Sequence, residues 1–170
     1  MDIETKNLKS ILLVEDDPND VELTLSALGE HQLANNVAVV CDGVEALDYL
    51  FRRGKFKMRA GSDPIVVLLD HKMPKVSGLE VLKVMKADEH LKNIPVVALT
   101  SSREAPDLVE FYKHGVSAYV VKPVDFGEFT EAVKRVGIFW AFVNEPVPLR
   151  ERKEFSNEVA PTSPVSEAGE

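Results

Sequence analysis

The chain has 170 residues, 45% of them hydrophobic, enough to bury the core of one ordinary domain with a tail to spare. Its 20 basic residues stand against 28 acidic ones, a formal charge of −8, which argues against nucleic-acid phosphate as a main partner and fits a protein or metal partner. No apolar run approaches the ~20 residues of a membrane span, and residues 1–9 lack the apolar core of a signal peptide, so a cytoplasmic protein without a membrane partner is expected.

After a polar amino-terminal extension (residues 1–9), short apolar runs recur at Ile11 to Val14, Val37 to Cys41, Ile65 to Leu69, Val96 to Leu99 and Ala118 to Val121, each followed by an amphipathic segment. This alternation predicts repeated βαβ units: a five-stranded parallel sheet with five helices. Most helix starts carry a short polar residue with an acid three positions on: Asp17 and Asp20 (with Pro18 at the first helical position), Asp42 and Glu45, Ser77 and Glu80, Ser101 and Glu104, Asp125 and Glu128. The first helix carries Val21, Leu25 and Leu28 and stops near Gly29; the second carries Val44, Leu47, Leu50 and Phe51 and ends near Gly54. The third runs through Leu79, Val81, Leu82 and Met85, and the fourth through Leu108, Val109 and Phe111 to Gly115. The fifth sets Phe126, Phe129, Val133 and Val136 toward the core. The single cysteine, Cys41, excludes an internal disulfide and reads as a small buried hydrophobe in a reducing compartment. The long basic connection from Lys55 to Pro64 reads as a surface loop and a recognition element.

The third run, Ile65-Val66-Val67-Leu68-Leu69, has the pattern of a central strand and ends directly in Asp70. In a parallel sheet the residues after each run share one edge, where open α/β folds place ligands. Glu15, Asp16 and Asp17 would meet Asp70, Thr100 and Lys122 there. Asp17 reads as a helix cap, because Pro18 follows it; Thr100 and Lys122 taken singly could be an ordinary strand-end hydroxyl and a solvated lysine. Asp70 needs no capping role, since Pro74 and Gly78 delay the next helix. Close carboxylates raise one another's pKa unless a cation compensates, and few carboxylates with open water positions suit Mg²⁺. With a lysine and a hydroxyl alongside, the set is equipped for phosphoryl transfer, Asp70 being the candidate nucleophile.

These residues, Glu15-Asp16, Asp70 with Met73-Pro74 and Gly78, Thr100-Ser101, and Tyr119 through Lys122-Pro123, resemble a response-regulator receiver domain over about Ser10 to Val143. The long basic loop, the Leu-Asp-His-Lys-Met-Pro-Lys wording and the run Phe139 to Pro146 look most like the single-domain regulators paired with bacterial phytochrome histidine kinases. The resemblance implies a flavodoxin-like, CheY-like (βα)5 fold with strand order 2-1-3-4-5. It implies that Asp70 accepts a phosphoryl group from a kinase phosphohistidine. Asp16, Asp70 and the backbone carbonyl of Lys72 would ligate Mg²⁺, with Glu15 acting through a water. Thr100 and Lys122 would bind the phosphoryl oxygens, Ser101 would leave access, and Thr100 and Tyr119 would move together as the switch. Lys72 and Ser77 depart from residues common in relatives; Lys72 and Ser102 would flank the path of attacking water and set the lifetime of the phosphoryl state.

Two other readings stay open: a Mg²⁺-dependent phosphatase with an aspartyl nucleophile, and a scaffold that binds partners without phosphorylation. The first lacks an acid two residues after the nucleophile, where Lys72 stands. The receiver reading makes the chain a phosphoacceptor rather than an enzyme, with residues 10–145 as the domain and residues 146–170 as a mobile Pro/Ser/Glu-rich tail too short for a DNA-binding domain. Output would pass through an unidentified downstream protein. The all-round apolar run Ile138 to Val143 predicts a homodimer interface at Phe139, Trp140, Phe142 and Val143. Folding of the tail, through Val147, Leu149 and Phe155, over that patch is the alternative.

Overall fold

Successive residues of a β-strand point to opposite faces, so an unbroken apolar run serves a sheet covered on both sides. The computed structural model, which describes residues 10–30 and 33–147, is built this way. β1 (Ile11–Val14), β2 (Val37–Val40), β3 (Val66–Leu69), β4 (Val96–Thr100) and β5 (Ala118–Val121) form one parallel sheet in the expected order β2-β1-β3-β4-β5. Leu12, Val14, Val67, Leu69, Val96 and Ala98 enter one core, and Ile11, Leu13, Val66, Leu68, Val97 and Leu99 enter the other. Burial of each Val, Leu or Ile side chain is worth about 1.5–3 kcal/mol, which fixes the register.

Two helices close one face and three the other. α1 (Pro18–Gly29) and α5 (Phe126–Ile138) bury Ala27, Leu28, Phe129 and Val133 against the Leu13 and Leu68 side. α2 (Gly43–Phe51), α3 (Gly78–Ala87) and α4 (Ala105–Lys113) bury Ala46, Leu50, Val81, Leu82, Met85 and Phe111 against the Leu12 and Leu69 side. Where α5 crosses α1, a Cβ added to Gly137 would sit 2.4 Å from Leu28 Cδ2, so this helical glycine permits the close packing.

Four of the five expected helix starts carry their side-chain cap. Asp17 Oδ1 accepts from Asn19 N–H, Asp42 Oδ1 and Asp125 Oδ1 accept from Glu45 N–H and Glu128 N–H, and Ser77 with Glu80 forms the complete reciprocal capping box. The fourth differs. α4 starts at Ala105 with Glu104 at the N-cap and no side-chain cap; Ser101 is an exposed bend residue, and Ser102 instead accepts from Glu104 N–H. α4 also buries only Phe111, leaving Leu108 and Val109 exposed, and Phe126 of α5 is exposed as well. Each is apolar at helical spacing but lies beyond the stripe that meets the sheet. Cys41 is exposed, not buried: β2 ends at Val40, and one residue further the chain has left the core.

α2 ends at Phe51, with Arg52 in the left-handed conformation (φ 55°), before the expected Gly54. The basic connection is a surface loop with one short 3₁₀ turn, and its cations turn back on the chain. Arg53 pairs with Asp48, Lys55 with Glu45 and Arg59 with Asp63, while the Arg52 guanidinium donates to the carbonyls of Arg59 and Gly61. After α5 the chain makes a π-helical turn, Phe139–Val143, closed by Asn144 N–H donating to Phe139 O. Phe139, Phe142 and Val143 are exposed. Trp140 is not: it is half-buried against the core of the α1–α5 side. The expected extension at residues 1–9 and the tail contacts of Leu149 and Phe155 lie outside the described residues.

Candidate functional site

The parallel ladder carries on past the strand ends. Glu15 N–H donates to Val40 O (3.1 Å), Asp70 N–H to Val14 O (3.0 Å) and Lys122 N–H to Thr100 O (2.7 Å). These backbone bonds place Glu15, Asp70, Thr100 and Lys122 along one edge, as the apolar runs predicted. Glu15 and Asp70 are 4% and 8% exposed, whereas Asp16 faces solvent. Carboxylate oxygens of Glu15, Asp16 and Asp70 lie within 4.8 Å of one another. Asp17, as expected, does a cap's work rather than a ligand's.

One lysine holds the acids together. Lys122 Nζ donates to Glu15 Oε2 (2.6 Å) and Asp20 Oδ2 (2.7 Å) and lies 3.6 Å from Asp70 Oδ1. Burial disfavours its charge, but the bonds to Asp20 and Glu15 and the field of Asp70 outweigh this and hold the ammonium above the ordinary lysine range. Burial pushes the Asp70 carboxyl up; the Lys122 charge and the His71 backbone amide pull it back, and Asp16 adds like-charge repulsion. Glu15 is also raised, by burial first and by Asp70, against its bond to Lys122. Asp20 was not foreseen as a site residue. It stands in the first turn of α1, so the signal available was the Pro18 helix start, which turns the third helical residue back over the sheet edge.

The segment after Asp70 is tightly shaped. A Cβ on Gly78 would fall 2.1 Å from Asp70 O, and Gly78 N–H donates to His71 O. Lys75 takes a left-handed conformation (φ 66°) and its ammonium donates to Asp42 Oδ2 (2.8 Å), fastening the loop to the start of α2. A Cβ on Gly43 would meet Val76 O at 2.2 Å, so that fastening needs glycine on the α2 side. Lys72 is exposed within this loop, while Ser102, paired with it as a flank of the water path, is buried.

Thr100 is 1% exposed and its Oγ1 accepts from Ser102 N–H (3.1 Å). Tyr119 packs its ring against Phe111 (5.4 Å between centroids) and donates its hydroxyl to Ser102 O (3.1 Å). The two residues expected to switch thus share one neighbour.

An all-oxygen set of three converging carboxylates, two of them disfavoured as anions by burial, fits a hard divalent cation. Residues 11–134 match the family model of the response regulator receiver domain. The chain belongs to that family. This receiver domain is 32% identical over 82% of its length to response regulator Rcp1 of Synechocystis sp., covering 94% of that protein. The manganese-bound crystal structure of Rcp1 superposes with a TM-score of 0.76 at 31% identity, covering 82% of this chain and 99% of that one. The phosphorylated cyanobacterial phytochrome response regulator RcpA aligns with a TM-score of 0.77 at 35% identity, over 81% and 97% of the two chains. The bacteriophytochrome response regulator AtBRR is 59% identical over 81% of this chain and 99% of that one, with a TM-score of 0.65. The fold and the kinship with phytochrome response regulators agree with the resemblance read from the residues. No described helix is long and apolar enough to cross a membrane.

Proposed function

We propose that this receiver domain accepts a phosphoryl group on Asp70 from the phosphohistidine of a phytochrome-type sensor histidine kinase, and signals by protein–protein contact rather than by catalysis. The observation that carries the reading is the convergence of Glu15, Asp16 and Asp70 on one sheet edge, with Lys122 reaching both Glu15 and Asp70. Asp16, Asp70 and the Lys72 backbone carbonyl would hold Mg²⁺, with Glu15 orienting a metal-bound water; when bound, the ion offsets negative charge on the transferring group. Burial and Asp16 disfavour the resting anion of Asp70, so the nucleophile is desolvated before the donor arrives. An Asp70 oxygen attacks phosphorus, the phosphorus–nitrogen bond of the donor breaks, and the donor imidazole leaves with the electron pair.

Lys122 lies near enough to follow the charge as it moves from carboxylate to phosphoryl oxygens. Thr100 would turn its hydroxyl toward the phosphoryl group, and Tyr119 would follow into the space it leaves, biasing α4, β5 and α5 between two arrangements. The similarity to RcpA and AtBRR, a phytochrome and a bacteriophytochrome response regulator, supports the choice of kinase. Incubating the protein with a phosphorylated phytochrome-type kinase domain and with an unrelated phosphokinase tests it: rapid transfer from the first alone is expected, and equal transfer from both would overturn the pairing.

The domain works as a cytoplasmic homodimer in this reading, through the exposed Phe139, Phe142 and Val143 of the π-helical turn, with Trp140 underpinning them from the core side. An exposed apolar cluster of this kind marks an interface. Sedimentation at micromolar concentration is expected to give a dimer that Phe139→Glu with Phe142→Glu dissociates; a monomeric parent protein would refute it.

A further inference from the structure

A closed ring of contacts runs beside Asp70. His71, the residue after Asp70, is 15% exposed at its side chain and sets Nε2 3.5 Å from Asp107 Oδ1. Asp107 Oδ2 accepts from Ser102 Oγ–H at 2.6 Å. Ser102 N–H donates to Thr100 Oγ1, and Ser102 O accepts from Tyr119 O–H. Tyr119 meets Phe111 edge-on, and Phe111 meets His71 edge-on with centroids 5.0 Å apart, which closes the ring. His71 Nδ1 is buried without a hydrogen-bond partner, so the imidazole is held by Asp107 and by the Phe111 ring. The β3–α3 loop, the β4–α4 loop, α4 and β5 each contribute a member.

Ser102 is the hub of this ring. It is 5% exposed, and its amide, carbonyl and hydroxyl engage Thr100, Tyr119 and Asp107 respectively. A turn of Thr100 Oγ1 toward Asp70 leaves the Ser102 amide without its acceptor in a nearly dry place, and the Tyr119 hydroxyl cannot move without releasing the Ser102 carbonyl. Ser102 could accommodate both changes by shifting, but the Asp107 carboxylate, itself held against His71, pins it. Shortness of the Ser102–Asp107 bond and its charged acceptor make this the firmest link in the ring.

We propose that His71 and Asp107 are positioning residues that latch Ser102, and through it Thr100 and Tyr119, in the arrangement that precedes phosphorylation. The proposal rests on Asp70 being the acceptor and Thr100 and Tyr119 the switch; it adds what sets the resting balance of that switch. Neither residue touches the phosphoryl group. The latch acts on a population: every bond that favours the resting arrangement lowers the apparent affinity for any ligand that selects the other.

Beryllofluoride, a phosphoryl mimic that forms on a carboxylate, reads that balance without kinase or turnover. Its apparent affinity in saturating Mg²⁺ is followed from the amide signals of Thr100 and Ser102 by NMR, for the unmodified chain and for Asp107→Ala, Ser102→Ala, His71→Ala and His71→Gln. Asp107→Ala is expected to tighten binding about tenfold, within the range usual for coupled sites, without changing the Mg²⁺ affinity measured alone. Ser102→Ala, which keeps both backbone bonds but loses the tie to Asp107, is expected to tighten it likewise. His71→Gln, which keeps a donor toward Asp107, should stay near the unmodified value, whereas His71→Ala should follow Asp107→Ala. Unchanged or weaker binding in Asp107→Ala or Ser102→Ala, or His71→Gln behaving as His71→Ala, overturns the latch. An unmodified chain that takes up no beryllofluoride at Asp70 sinks the acceptor assignment itself, and the latch with it.

Discussion

Lys122→Met isolates what the ammonium does for the fold, because methionine keeps an unbranched apolar chain of nearly the same length and removes the charge with its donors. Glu15 and Asp70 have side chains 4% and 11% exposed, and both look to Lys122 for compensation. Breaking one side of a buried ion pair costs about 3–5 kcal/mol, and the lower end applies here because Asp20 is 30% exposed and can recover water. A loss of about 3 kcal/mol corresponds to about 6–12 °C in Tm for a domain of this size. The loss depends on pH with a definite sign. Glu15 and Asp70 already sit above their ordinary values of 4.5 and 3.8, and losing the ammonium raises them further. A carboxyl raised in the folded state contributes stability that is present below its unfolded pKa and lost as pH rises through its folded pKa. The variant's deficit is therefore smallest near about pH 4, around the unfolded carboxyl values, and larger at neutral pH. Urea unfolding of both proteins without divalent cation at these two pH values checks it. A deficit equal at both, or none at neutral pH, would refute the view that Lys122 compensates buried anions.

Asp70→Asn, which removes the raised carboxylate and keeps its shape, should stabilise the cation-free protein at neutral pH, with the gain fading as pH falls toward about 4 in thermal melts. Asp16→Ala should weaken Mg²⁺ binding severely in a calorimetric titration while leaving the fold intact, since Asp16 is exposed and one of the three converging acids. Gly78→Ala should cost about 1–3 kcal/mol by forcing a Cβ against the Asp70 carbonyl, and should reduce Mg²⁺ affinity as well, because the same loop carries Lys72; unaltered affinity would separate the loop from the cation site.

Where periodicity and topology leave one solution, the sequence was a sufficient guide. Apolar runs such as Val66 to Leu69 alternate strictly between two cores, and parallel pairing then put Glu15, Asp70, Thr100 and Lys122 on one edge. What escaped the sequence depended on distances across loops. Asp20 reaches Lys122 only because α1 starts at Pro18, and the meeting of His71 with Asp107 needs the bend between Thr100 and Ala105 that spacing cannot specify. Ser101 and Glu104 had the wording of a helix start, yet the Ser102 bonds to Asp107 and Glu104 took the place of a cap. Trp140 belonged to an apolar run with no polar side to orient it, so its turn toward the core followed from the packing of α5 on α1 rather than from any local pattern.

The central claim, that Asp70 is the phosphoacceptor of a cation-dependent site, is tested most directly by intact-protein mass spectrometry after incubation with acetyl phosphate. The unmodified chain should gain one phosphoryl group in the presence of Mg²⁺, lose it when a chelator is added beforehand, and not gain it at all in Asp70→Asn. A phosphoryl adduct formed undiminished on Asp70→Asn, or formed equally well after chelation, would contradict the account.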